Sequence, residues 1–226
     1  MNAHELVRFA DEKQRIEVLS FIGGHPNMSP DVALPTCGFC WMKMTFYFQI
    51  LFPEIHEWAG KILLFFGCSS CEPLGYGTPP VSPDIRYPPS GFLDNAQKNF
   101  RIVITDASKH ELCVALRPRL EFERLQLKPS RKTRQTSTHI GGMPVWTWYG
   151  EDTPISYNGQ PFIFLLQITD DWNFTTAVGA PEQYCYPFLG DSYPHPGMYQ
   201  LFSGLPLFFF GVVEGGRHQV YVINQK

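Results

Sequence analysis

The 226-residue chain is short of charge: Asp, Glu, Lys and Arg supply 17% of it, against about 25% in an average soluble protein. With 44% hydrophobic residues, that scarcity excludes a disordered or solvating segment, which needs high charge and few apolar side chains. Long apolar runs are missing as well. The longest, residues 62–66 and 205–213, fall far below the roughly 20 residues that span a bilayer. The first eight residues carry His4, Glu5 and Arg8 and no apolar core of signal-peptide length, so the expectation is a soluble, cytoplasmic protein without membrane contact.

Catalytic signatures are absent too. There is no P-loop, GxSxG, HExxH or dinucleotide fingerprint, and the seven histidines show no spacing that specifies a triad or a metal pair. Helical periodicity is weak. Short aromatic or β-branched runs between turn residues predict strands at 16–22, 44–51, 61–67, 100–105, 112–116, 120–127, 145–149, 162–168, 207–213 and 219–223. Short helices are expected near 54–60 and 94–99, and the six prolines of residues 72–91 mark a loop. The expected fold class is mainly β, a β-rich α+β body.

What the chain does have is paired cysteine. Cys37-Gly-Phe-Cys40 and Cys68-Ser-Ser-Cys71 are two CxxC turns separated by 27 residues. In a reducing compartment close thiol pairs point to metal before disulfide. Two such turns complete a tetrahedral Zn²⁺ site with thiolates at about 2.3 Å and no open position, which makes the metal structural. The plain alternative is four reduced core cysteines. Cys113 and Cys185 stand alone and read as small buried hydrophobes.

The chain also repeats itself. Phe21-Ile-Gly-Gly-His-Pro26 matches His139-Ile-Gly-Gly-Met-Pro144, and Phe46-Tyr-Phe-Gln-Ile50 matches Phe164-Leu-Leu-Gln-Ile168, both at an offset of 118 (23 to 141, 49 to 167). Leu64-Phe-Phe-Gly67 matches Phe208-Phe-Phe-Gly211 at 144, so the second copy carries an insertion of about 26 residues, roughly 169–196. That insertion reads as an exposed, partly structured excursion. Cys37 and Cys40 map to Ile155 and Asn158, so the zinc-binding double knuckle belongs to the first copy alone. Three segments follow: 1–91, a first repeat with the thiols; 92–134, a β connector; and 135–226, a second repeat without metal ligands.

Charge divides along the same lines. The net charge of −3 contains a local +5 over residues 117–134, whereas 135–216 hold seven acids and not one Lys or Arg. The basic run has few interleaved aromatics and matches no nucleic-acid motif, so direct nucleic-acid contact is not expected. The acidic half suits a basic protein partner. Its candidate partner-binding residues are Glu151, Asp152, Asp170, Asp171, Trp172, Glu182 and Asp191.

The run Pro35-Thr-Cys-Gly-Phe-Cys40, Thr45-Phe-Tyr-Phe-Gln-Ile50 and Lys61-Ile-Leu-Leu-Phe-Phe-Gly-Cys-Ser-Ser-Cys71 resembles the N-terminal part of the programmed cell death protein 2 family. Gly-Gly-x-Pro followed by Phe-x-x-Gln-Ile is similar to the bacterial YwqG-like family. The resemblance implies a β-rich, twofold-repeated fold and a protein-binding role rather than a catalytic one. Eukaryotic relatives of that kind act as chaperones of a basic ribosomal protein, and bacterial ones include immunity proteins. The leading expectation is an immunity protein that binds a cognate antibacterial toxin, a nuclease effector with a basic surface, and covers its substrate-binding face. A chaperone-like binder of a ribosomal protein is the alternative. A metal-dependent hydrolase using Asp171 or His195 is the third.

Overall fold

The computed structural model describes residues 3–10, 13–29, 32–70, 86–108, 111–130, 137–146, 153–183, 196–201 and 206–224. In the first part of the chain the strands are β1 (Ala3–Phe9), β2 (Phe21–Ile22), β3 (Asn27–Met28), β4 (Thr45–Leu51) and β5 (Lys61–Gly67). Helix α1 (Phe92–Ala96) precedes β6 (Phe100–Asp106), β7 (Glu111–Leu112) and β8 (Glu123–Ser130). Then come β9 (His139–Ile140), β10 (Ser156–Tyr157), β11 (Gln160–Pro161), β12 (Ile163–Ile168), β13 (Phe174–Thr175), β14 (Met198–Tyr199), β15 (Leu207–Glu214) and β16 (Arg217–Asn224). The chain is mainly β, as its composition predicts.

Ten of these strands form one antiparallel sheet in the order β16-β15-β12-β9-β1-β8-β2-β4-β5-β6. The order is a palindrome of the repeat: β2, β4, β5 and β6 of the first copy correspond to β9, β12, β15 and β16 of the second. The centre is the pair β1 and β8, aligned from Ala3↔Ser130 to Phe9↔Arg124. Each central strand bonds outward to the other copy's turn strand, β1 to β9 and β8 to β2. One sheet therefore runs through all three sequence segments.

The sheet curls until its ends meet. Gln97 on the approach to β6 donates to the Val220 carbonyl of β16 at 3.2 Å, and an added β-carbon at Gly211 of β15 would overlap the Trp58 indole. Inside the nearly closed sheet, Phe48 and Phe65 stack at 5.2 Å while Phe209 meets both edge-on. Such offset and T-shaped aromatic pairs add to what burial alone contributes. The outer faces are covered too, by Phe21, Phe46 and Phe66 with their loops in one half and by Tyr157, Phe208 and Phe210 in the other. Coverage on both faces explains why β4, β5 and β15 read as continuous apolar runs rather than alternating ones.

The repeated residues have a shared job. A bulge interrupts the β4–β5 ladder at Tyr47 and the β12–β15 ladder at Leu165. Each bulged residue turns its carbonyl away from the neighbouring strand, and it accepts instead from the first glycine of Gly-Gly-x-Pro: Gly23 N–H to Tyr47 at 2.8 Å, Gly141 N–H to Leu165 at 2.9 Å. All four glycines have positive φ, from 61° to 75°, a region costly to residues with a β-carbon. The buried carboxamides of Gln49 and Gln167 then accept from Asn27 N–H and Val145 N–H, both at 2.8 Å. The repeat thus encodes a bulge, the turn that caps it and the amide that holds the turn.

Several expectations are corrected. The strand expected over 16–22 is only Phe21–Ile22, that over 112–116 is Glu111–Leu112, and that over 120–127 shifts to Glu123–Ser130. Residues 145–146 form no strand, and 147–149 lie outside the described residues. Residues 54–60 form successive turns, with His56 N–H on Pro53 and Ala59 N–H on His56, because Pro53 and Gly60 bracket too few residues for a stable helix. β1 was not expected at all.

The turn over residues 53–60 carries a pH-sensitive contact. His56 Nδ1 accepts from Trp58 N–H at 3.0 Å, an acceptance that protonation of that nitrogen destroys. Burial holds the His56 pKa below 6.5, the Phe164 carbonyl bonded to the ring working the other way. A lowered folded pKa leaves the unfolded chain with the greater proton uptake. This contribution to stability is therefore complete above about pH 6.5 and is lost as the pH falls through the lower folded value. The melting temperature of the protein is expected to drop between roughly pH 7 and 5, and less so in His56→Gln. Parallel curves for the two proteins would remove His56 from this role.

Candidate metal centre and partner-binding face

Residues 35–44 fold into a tight hairpin. An isolated bridge pairs Thr36 with Lys43, Cys37 N–H donates to Met42 at 2.9 Å, and Trp41 N–H donates to Cys37 at 3.0 Å. The reversal puts Trp41 at φ 62°, a conformation uncommon for a residue with a β-carbon. Gly38 lies 3.2 Å, measured from where a β-carbon would sit, from the Lys98 carbonyl, and its N–H donates to that carbonyl at 2.6 Å. The next residue, Asn99, accepts from Cys68 N–H at 2.7 Å. Residues 98–99 therefore strap both cysteine-bearing turns together, a part sequence reasoning missed because nothing local in Lys98-Asn99 announces it.

The result is a thiol cluster. The Sγ atoms of Cys37, Cys40 and Cys68 all lie within 4.8 Å of one another, and Cys40 and Cys68 are 3.5 Å apart. That is far longer than a disulfide's roughly 2.05 Å and close to the separation of about 3.8 Å that thiolates take around a tetrahedral metal. Phe39 N–H donates to Cys37 Sγ at 3.4 Å. Beside Cys68, lining the same small cavity, the buried Asn99 carboxamide has no hydrogen-bond partner among the described residues. Three thiols placed in this way can hold a metal ion. Cys71 lies outside the described residues, as does Cys185. Cys113 packs against the outer core of the first copy.

The second copy keeps the hairpin without the thiols. Asn158 and Gly159, at the offset of 118 from Cys40 and Trp41, have φ of 48° and 78° and close the β10–β11 turn. Asn and Gly adopt this conformation readily, so no clamp is needed. In the first copy the hairpin tip presents Phe39, Trp41 and Met42 to solvent, Trp41 with 77% of its surface exposed. Their CxxC context gave no sign of this exposure.

Of the acidic candidates, Asp170, Asp171 and Glu182 are exposed, while Glu151, Asp152 and Asp191 lie outside the described residues. Trp172 is corrected. It is 8% exposed and packs edge-on to Phe48 and Phe174 at 6.0 Å, so it anchors the segment instead of meeting a partner. The start of the insertion is structured and part of it is buried rather than exposed: Phe174 pairs with Tyr199 across β13–β14, and both lie in the central core. Its backbone also ties to the barrel, Glu121 N–H donating to Thr175 and Ala177 N–H to Arg119. Asp171 is held at its tip by the Thr169 hydroxyl at 2.5 Å. Of the hydrolase candidates, Asp171 occupies this surface turn and His195 lies outside the described residues. Among the described residues, no helix is long and apolar enough to cross a membrane. Compared with known proteins, the chain matches no protein-family model and no curated protein.

Proposed function

We propose that the chain is an immunity protein, which binds a cognate antibacterial nuclease and covers its substrate-binding surface. The observation that carries this reading is the acidic insertion. Asp170, Asp171 and Glu182 are exposed and form no ion pair among the described residues, on a segment pinned to the core by Trp172, Phe174 and Tyr199. Carboxylates held in place lose little freedom on binding, and they complement the basic surface that a nuclease needs to grip phosphates. The motif resemblance to families with protein-binding members supports the same role. In this reading the thiol cluster holds Zn²⁺ through Cys37, Cys40 and Cys68, with Cys71 as the fourth ligand. Its task is to fix the hairpin, with no turnover at the metal.

Co-expression with the toxin encoded beside it, followed by growth measurement and pull-down, is the test. Protection and a stable complex are expected. Reversing Asp170, Asp171 and Glu182 to lysine should weaken that complex by about tenfold or more, the equivalent of at least ~1.4 kcal/mol. Continued killing with both proteins abundant, or recovery of a ribosomal protein as the main partner, would reject immunity.

A further inference from the structure

Each copy of the repeat opens a groove beside the start of its long buried strand, and the two grooves correspond at the offset of 118. Gly24, Lys43 and Thr45 line the first where Gly142, Pro161 and Ile163 line the second. The second, about 610 Å³, has no lysine or arginine in its lining. The first, about 340 Å³, adds Arg117 and Arg119 from its opposite wall. A lysine and a hydroxyl at positions where the same fold accepts proline and isoleucine are not demanded by the fold.

The half-buried Arg119 is held in place. Its Nη1 donates to Ser69 Oγ at 2.8 Å and to Thr45 Oγ1 at 3.3 Å, and those two buried hydroxyls are 2.8 Å apart. Its Nε–H and its other amino group have no partner among the described residues. Lys43, Arg117 and Arg119 form no ion pair among those residues, and neither does Glu182, which follows the lining Pro181. Three cations lining one concave groove raise the local positive potential, and a guanidinium fixed in its plane is suited to a forked bond with an oxyanion.

We propose that this groove binds a phosphoryl group, whose double negative charge answers three cations better than a single carboxylate does. The site serves such a ligand whether or not the acidic segment meets a toxin. The phosphoryl group belongs either to a free small molecule or to a phosphorylated side chain, and two probes separate the sources. The isotope-labelled protein is titrated with inorganic pyrophosphate and, separately, with a phosphoserine peptide, while backbone amide shifts are followed at low and high salt. Saturable shifts at residues 43–46 and at Arg117 and Arg119 are expected for at least one probe, weakening with salt. Response to pyrophosphate alone assigns a small molecule, and response to the peptide alone assigns a modified protein. The double substitution Lys43→Gln, Arg117→Gln changes two exposed side chains and should leave the melting curve unaltered while weakening binding about tenfold or more. Absence of saturable binding by both probes, or affinity unchanged in the double variant, would overturn the site.

Discussion

Stripping metal from the protein with a chelator is expected to lower its melting temperature by about 10 °C or more, and Cys37→Ser to do the same without a further drop on chelation. Structural zinc in small sites contributes apparent binding free energies of about 10–16 kcal/mol, of which only the part not replaced by the surrounding core appears as lost stability. A loss of ~3–5 kcal/mol at about 2–4 °C per kcal/mol in a chain of this size gives that shift. The local structure explains the dependence. The hairpin over 35–44 has a single bridged pair and a left-handed Trp41, so it leans on the thiol cluster and on the backbone strap from Lys98 to stay closed. Yet Cys37 and Cys68 belong to the buried cluster with Phe46 and Phe66, so opening exposes core. Elemental analysis showing no bound metal, together with a melting curve indifferent to chelator, would leave the thiols as reduced core residues.

Gly23→Ala is expected to destabilise the fold by about 4 kcal/mol or more, the range reserved for severe packing and backbone conflicts. At φ 61° an alanine already meets a conformational penalty. The larger cost is steric, since the new β-carbon would overlap the carbonyl oxygen of Glu121, a backbone atom that cannot rotate aside. Relief requires moving the turn, which breaks the bond from Gly23 N–H to the bulged Tyr47. Gly60→Ala is the matched control, with φ 75° and nothing within 4 Å of the added carbon, and should cost only about 1 kcal/mol. Urea denaturation of the two variants makes the comparison. Equal losses would mean that φ alone, not the packed turn, makes Gly23 necessary.

These two sites also show what could be read from the residues. The clustering of Cys37, Cys40 and Cys68 and the doubled Gly-Gly-x-Pro were legible because each follows from a local pattern with a demanding backbone: a CxxC turn brings two thiols to one side, and a left-handed turn needs glycine. The long strands β4, β5, β12 and β15 were legible because burial on both faces writes an unbroken apolar run. β1 was not. Its burial along His4-Glu5-Leu6-Val7-Arg8 is partial, and its place comes from distant partners. Trp172 misled for a related reason. An aromatic beside two aspartates has the composition of an exposed contact, and only packing against Phe48, distant in sequence, decides that the ring is buried. The cation groove was hidden because Lys43, Ser69 and Arg119 are far apart in sequence, although the break in the repeat at Thr45 and Ile163 was there to be noticed.

The position of β1 bears on how the protein is made. Among the described strands β1 bonds to β8 and β9, whose residues begin at 123. More than a hundred further residues must therefore emerge after β1 before it has either neighbour. Its edges stay unpaired through that interval, and such edges invite pairing with other nascent chains. Closing so long a loop also places the protein among slow folders dominated by distant pairings. The wait that this separation imposes on β1 is set by the rate of synthesis.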